Sequence, residues 1–210
     1  MLPPNHTSRK PEEIISEKVY FDSAGYLYRS MSWIDHFERH DQFAALLYAC
    51  FEARLGIEYL IFEEIVISTG ANLSKGEYEK CLKSPTKLYK ALKRISPDYE
   101  KLQSFANIII SLEPCFPKII QWKPRQLIKS WAGLSHFLHW NGSKNNTVDL
   151  KRWRLNSGKR VREIVEPIWE KISSGQSGIM HPRDMKQEIY ELWLDFKGDA
   201  VDAEGIKIRM

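Results

Sequence analysis

The sequence predicts an all-α fold: a multi-helix bundle around one long central helix, about residues 41–69, with a short C-terminal tail. Three observations carry that expectation. Apolar side chains recur at helical spacing through most of the chain. Ser, Asp, Pro and Gly stand where those stretches begin and end. No series of alternating strands interrupts them.

The central helix is read from DQFAALLYACFEARLGIEYLIFEEIVISTG, Asp41 to Gly70. Asp41 suits an N-cap, because its carboxylate accepts from the unpaired N–H groups of a first turn. Gly70 suits the left-handed residue that follows a last turn. At about 1.5 Å per residue such a helix runs roughly 40 Å. Between Phe43 and Ile67 only Glu52, Arg54, Glu58, Glu63 and Glu64 are charged. A charge at the centre of a bilayer costs about 2.5–3.5 kcal/mol, so the helix is expected inside a bundle rather than in a membrane. Steps of about 100° put Asp41, Ala45, Tyr48, Glu52, Gly56, Tyr59 and Glu63 on one side, expected to face outward. Phe43, Leu47, Cys50, Phe51, Ile57, Ile61 and Ile65 gather opposite. Arg54 and Glu58 fall within that apolar side, four residues apart and able to touch. They are expected to form either an ion pair that fixes helix register or a polar pocket.

The other elements follow in order. Residues 1–10 are Pro-rich and polar and are expected as a flexible N-terminal arm; 11–198 form a single all-helical domain, and 199–210 a tail with at most one short strand at Ile206–Arg209. PEEIISEKVYF opens a short helix at Pro11 or lies extended. Ser23 caps a helix through GYLYRSMSWIDHFERH that breaks near His40–Asp41. Beyond Gly70 come shorter helices, with Ser84–Pro85 and Ser96–Pro97 as two Ser-Pro openings. Pro124 opens a helix that Asn141–Gly142 closes, with Leu127, Trp131, Leu134 and Leu138 on its apolar side. A long helix from Val148 to Ile172 is expected to be interrupted or bent around Ser157–Gly158 and Pro167. A last one begins at His181–Pro182 and stops at Gly198.

Composition narrows the function classes. A net charge of +4 in 210 residues does not by itself imply nucleic acid. Cys50, Cys81 and Cys115 have neither zinc nor disulfide spacing, and MLPPNHTSRKPEE lacks an apolar leader stretch, so reduced thiols in a cytoplasm are expected. No Gly-rich phosphate loop and no GxSxG elbow occurs, so no nucleotide-loop ligand and no cofactor is expected. His36 and His40, and His136 and His139, have helical spacing for a metal, but HFERH is not HExxH and no metal site is expected.

Three sets of residues can carry function. Arg54 and Glu58, with Ser135 and His139 sharing a face of the Pro124 helix, are expected as a polar cluster between two central helices. Lys151, Arg152, Trp153, Lys159, Arg160 and Arg162, from KRWRLNSGKRVR, combine cations with an aromatic, as a surface tracking a phosphate backbone would; a solvated helix face explains the same run. Arg29 and His36 lie two turns apart and nearly in line. Without metal, such an arginine can stabilise charge on a phosphodiester while the histidine moves the proton of a 2′-hydroxyl.

FEARLGIEYLIFEE, with its Arg-x-x-x-Glu-Tyr centre, and WAGLSHFLHW resemble the helical cores of bacterial HEPN-type proteins (higher eukaryote and prokaryote nucleotide-binding domains). The resemblance implies a bundle of four or five helices, frequent dimers, and a setting in toxin–antitoxin or phage-defence systems. It also implies that nucleolytic members carry Arg, four to six residues, then His; Arg29 and His36 fit the six-residue spacing, with Ser30 where Asn, Asp or His is usual. The leading expectation is therefore a HEPN-like interaction module that binds a protein partner or a second copy and does not enter a membrane. The alternatives are a metal-independent ribonuclease using Arg29 and His36, with RNA as partner, and a basic nucleic-acid binder.

Overall fold

The computed structural model describes residues 6–16, 22–70, 73–81, 85–112, 121–138, 150–176 and 180–210. Among them every regular element is helical: α1 Pro11–Ser16, α2 Ser23–His40, α3 Phe43–Thr69, α4 Lys75–Cys81, α5 Pro85–Ile95, α6 Tyr99–Leu112, α7 Pro124–Leu138, α8 Leu150–Ser173, α9 Gln187–Lys197 and α10 Ala203–Arg209. A single 3-10 turn, Pro182–Asp184, precedes α9. The fold is all-α and contains the long central helix. No described helix is long and apolar enough to cross a membrane.

Local chemistry sets the boundaries. Asp22, one residue before the expected Ser23, caps α2 by accepting from the Gly25 N–H at 2.6 Å. Asp41 does not open α3. It closes α2 in the left-handed region at φ 51°, donating its N–H to the Phe37 carbonyl at 2.7 Å. Aspartate tolerates that conformation, so the residue that suits an N-cap serves here as a stop. Gly70 ends α3 at φ 61°, as its position predicts.

The chain divides into two compact units, residues 1–60 with 124–174 and residues 61–123 with 175–210. In the first, α2 is the most enclosed element, buried from Tyr26 to Phe37 without interruption. On one side it meets the first half of α3 along a seam of small residues. The Ser30 hydroxyl donates to the Ala49 backbone carbonyl at 2.8 Å, and a methyl on Gly56 would stand 2.8 Å from Leu27 Cγ. The expected outward face of α3 is therefore wrong at Ala45 and Gly56, which are buried because small side chains let two helices approach closely. Phe51, expected inside, is exposed. On another side α2 meets α8, which continues as helix through Ser157–Gly158 and Pro167 without interruption. Gly158 lies under the Phe37 ring, where a methyl group would overlap it. Residues 6–10, expected as a loose arm, dock on α2: Arg9 lies 4.5 Å from the Tyr28 ring centroid and donates to the Ser32 hydroxyl at 3.1 Å.

In the second unit Leu102, Phe105 and Ile109 of α6 form a core with Trp193 of α9 and Ile206 of α10. The expected tail strand at Ile206–Arg209 is instead part of α10. Asp202 caps that helix by accepting from the Gly205 N–H at 2.8 Å, and Ile206 is fully buried. Ile206 is buried while Ile208 is 84% exposed, so the two do not share the one face a strand would give them.

Candidate functional site

The polar interior of the first unit lies on α2, where Arg29, Ser30, Ser32, Asp35 and His36 are all buried. Tyr26, Arg29, Trp33, His36 and His40 recur at three and four residues, the spacing of one helical face. Each of the first four meets a partner from α3 or the turn before it. Tyr26 stacks at 5.1 Å on Tyr59, and Trp33 at 5.2 Å on Tyr48. Arg29 donates Nε–H and Nη2–H to one Glu52 oxygen at 3.1 and 3.0 Å, and its guanidinium lies 4.7 Å from the Tyr26 ring centroid. His36 places Nε2 3.2 Å from the Gln42 amide oxygen and its ring 4.5 Å from that of His40.

Arg29 and His36 thus share a face, as their spacing predicts, but at 4% and 6% exposure they are withdrawn from solvent. The catalytic arrangement expected of them needs an arginine free to meet a phosphate. Here Glu52 already neutralises that charge.

A second network occupies the α8 side of α2. Asp35 receives Arg162 Nη2 on one oxygen at 2.5 Å and His6 Nδ1 on the other at 2.7 Å. Arg162 also donates Nε–H and Nη2–H to Glu38, both at 2.7 Å, and Nη1–H to Glu166 at 3.0 Å. Burial alone would raise the Asp35 pKa; hydrogen bonds from His6 and Arg162 outweigh it and hold the carboxyl below its ordinary range. Hydrogen bonds donated to Glu38 and Asp35 push the Arg162 pKa up, against the effect of its burial.

This corrects the basic run. Arg162 is the hub of a carboxylate network and is not offered to a polyanion. Trp153 is half-buried, with its ring tilted against that of Phe43 at 5.3 Å. Lys159 reaches Glu163 at 3.9 Å, while Arg152 and Arg160 are exposed; the Lys151 side chain lies outside the description. Arg154, which belongs to the same run, reaches Asp41 at 3.3 Å. Another set of exposed cations, Lys90, Lys93 and Arg94, stands on α5 of the second unit opposite the buried Leu88 and Leu92. That set escaped the sequence reading because its charges are spaced along a helix rather than run together.

The α3–α7 cluster is assembled differently from its expectation. Arg54 and Glu58 do not pair directly. The Arg54 guanidinium lies 4.4 Å from the Trp131 ring centroid, and the Trp131 indole N–H donates to Glu58 at 2.7 Å. Ser135 donates to the Trp131 backbone carbonyl at 2.9 Å and has no part in the Arg54–Trp131–Glu58 arrangement. His139 lies outside the described residues. Trp131 is the member the sequence missed: its place on an apolar stripe concealed an indole N–H. Nearby on α3, burial raises the Cys50 thiol to about 12, which keeps it protonated and unreactive.

In the second unit Glu64 is buried, and among the described residues no cation pairs with it. It accepts from the Tyr99 hydroxyl at 2.7 Å, and that oxygen accepts from Gln103 Nε2 at 2.5 Å. Burial raises the Glu64 pKa further than the Tyr99 hydrogen bond lowers it, and burial together with Glu64 raises that of Tyr99. Among the described residues no group of three His, Cys, Asp or Glu side chains is placed to hold a metal ion. Compared with known proteins, the chain matches no protein-family model, no curated protein and no solved structure.

Proposed function

We propose that this chain is a cytoplasmic, HEPN-like helical interaction module, of the kind used in bacterial stress and phage-defence systems, which pairs with a second copy through α3. One observation carries the reading. Arg29 and His36, the residues a nuclease would need free, are committed internally to Glu52 and Gln42, whereas large aromatics on α3 are left outside. Tyr48 and Phe51 are each 54% exposed. With Ala44 and Leu47 they make an apolar stripe, and no charged residue interrupts it from Ala44 to Phe51. An uncharged stripe meets its own copy without like-charge repulsion, as a two-fold interface between identical patches requires.

Sedimentation equilibrium of the full chain tests this. The expected result is a dimer that Tyr48→Ser with Phe51→Ser converts to monomer with unchanged helix content. A wild-type chain that stays monomeric at every concentration removes the reading. The same preparation should leave RNA intact in EDTA. Cutting that His36→Ala abolishes in a folded protein would replace the module with the ribonuclease.

A further inference from the structure

We propose that Arg54, Glu58 and Trp131 form a recognition site for a ligand carrying a carboxylate beside an N–H donor, as in a free amino acid or the last residue of a peptide. Arg54 is half-buried, and its Nε is sealed from solvent with no acceptor. Among the described residues no carboxylate or carbonyl accepts from any of its nitrogens. Glu58, one turn on, would be its natural counter-ion, but gives Oε1 to the Trp131 indole N–H. The indole face lies against the guanidinium and offsets only part of its lost hydration. What remains is a flat cation, held in place by an aromatic wall, with its Nη edge unpaired. A planar fork of this kind matches a carboxylate through two parallel hydrogen bonds.

Glu58 sharpens the choice of ligand. Its Oε1 is used and its Oε2 makes no hydrogen bond to a described residue. A bare anion drawn to Arg54 would be repelled by this carboxylate, and a phosphate dianion doubly so. A ligand whose carboxylate meets Arg54 and whose neighbouring N–H meets Glu58 satisfies both charges. Residues four apart on a helix have Cβ atoms about 5–6 Å apart, a span that the two polar ends of one amino-acid residue can bridge. The site does not depend on dimerisation, because Arg54 and Trp131 face each other within one chain.

Proton–nitrogen NMR spectra of the full chain read the site directly through the Trp131 indole N–H, assigned by its loss in Trp131→Phe. Titrants are free phenylalanine, an N-acetylated tripeptide ending in phenylalanine, the same tripeptide with its C-terminus amidated, and inorganic phosphate. The expected result is a saturating shift of that one resonance with a free-carboxylate ligand and none with the amide or phosphate. Arg54→Lys keeps the charge and loses the fork, and should weaken binding about tenfold or more while the other indole resonances stay in place. A response to phenylalanine alone identifies a free amino acid as the ligand; a response that includes the free-acid tripeptide identifies a chain end. Silence with both, equal response to the amidated peptide or phosphate, or unchanged affinity in Arg54→Lys overturns the proposal.

Discussion

Replacing Arg29 by methionine separates a structural arginine from a catalytic one. The side chain is 5% exposed and that of Glu52 19%, so the ion pair is shielded on one side and partly wet on the other. Both donated hydrogens end on the same Glu52 oxygen. A charge-assisted hydrogen bond contributes about 1.5–3 kcal/mol net, and two sharing one acceptor give less than twice that. Losing the ring contact with Tyr26 adds about 0.5–1 kcal/mol. Stranding a fully buried charge costs about 3–5 kcal/mol, but water reaching Glu52 recovers part of it. Methionine also keeps the apolar stem packed and avoids desolvating a guanidinium. Arg29→Met should therefore destabilise by about 2–3 kcal/mol. Glu52→Gln, whose amide oxygen still accepts, should cost about 1–2 kcal/mol.

Urea unfolding followed by tryptophan fluorescence measures both variants, and the double variant Arg29→Met with Glu52→Leu completes a cycle. The expected coupling is at least about 1 kcal/mol, with an unchanged denaturant slope. A loss below about 0.5 kcal/mol for Arg29→Met, or an additive double variant, would refute the claim that this pair holds α2 to α3. Full stability combined with loss of RNA cutting would assign the arginine to chemistry.

Three further outcomes follow from other contacts. Arg162→Met removes the cation shared by Asp35, Glu38 and Glu166; since Glu38 and Glu166 are well solvated, thermal unfolding should show a loss of about 1–3 kcal/mol, with no change in RNA retention. Gly158→Ala gains about 1 kcal/mol in helix propensity but overpacks the Phe37 ring by about 1–3 kcal/mol and should come out destabilising, whereas Gly76→Ala, whose methyl meets nothing, should stabilise by about 0.5–1 kcal/mol. Glu64, raised by burial, binds its proton more tightly folded than unfolded, so its contribution to stability falls as pH rises from the ordinary carboxylate range through its folded pKa; Glu64→Gln should flatten that slope and melt higher than wild type at pH ~8.

What was legible in the sequence is what local chemistry decides. The helix spans follow from spacing and caps, and Pro124, Pro85 and Gly70 stand where their stiffness or freedom puts them. Asp41 was misread because Asp suits a helix start and also tolerates the left-handed stop; only the backbone angle separates the two. The inward side of α3 was misread for a related reason. Ala45 and Gly56 score as weakly hydrophobic, yet their smallness is what draws α2 close, a property of a pair of helices and not of one. Gly158 reads as a breaker until Phe37, more than a hundred residues earlier, is found above it. The partners of the candidate site residues were hidden at the same level. Glu52 neutralises Arg29 across 23 positions and Trp131 takes Glu58 across 73, separations that helical periodicity does not encode.

Within the first unit the directional bonds gather on α2 rather than along the more conspicuous α3. An apolar stripe holds a helix in place only loosely, because sliding or rotating it exchanges one hydrophobic contact for another. Directional bonds do not permit that. Ser30 on the Ala49 carbonyl, Arg29 on Glu52 and His36 on Gln42 fix α2 against α3, and Asp35 on Arg162 fixes it against α8. A slip of one turn, about 5.4 Å, would break all four at once and leave buried charges unpaired. The same residues cannot be lent to a phosphodiester without loosening the helix that carries them. On the proposed reading, that physical conflict makes the Arg-x6-His spacing, correct in period and face, a means of specifying the bundle.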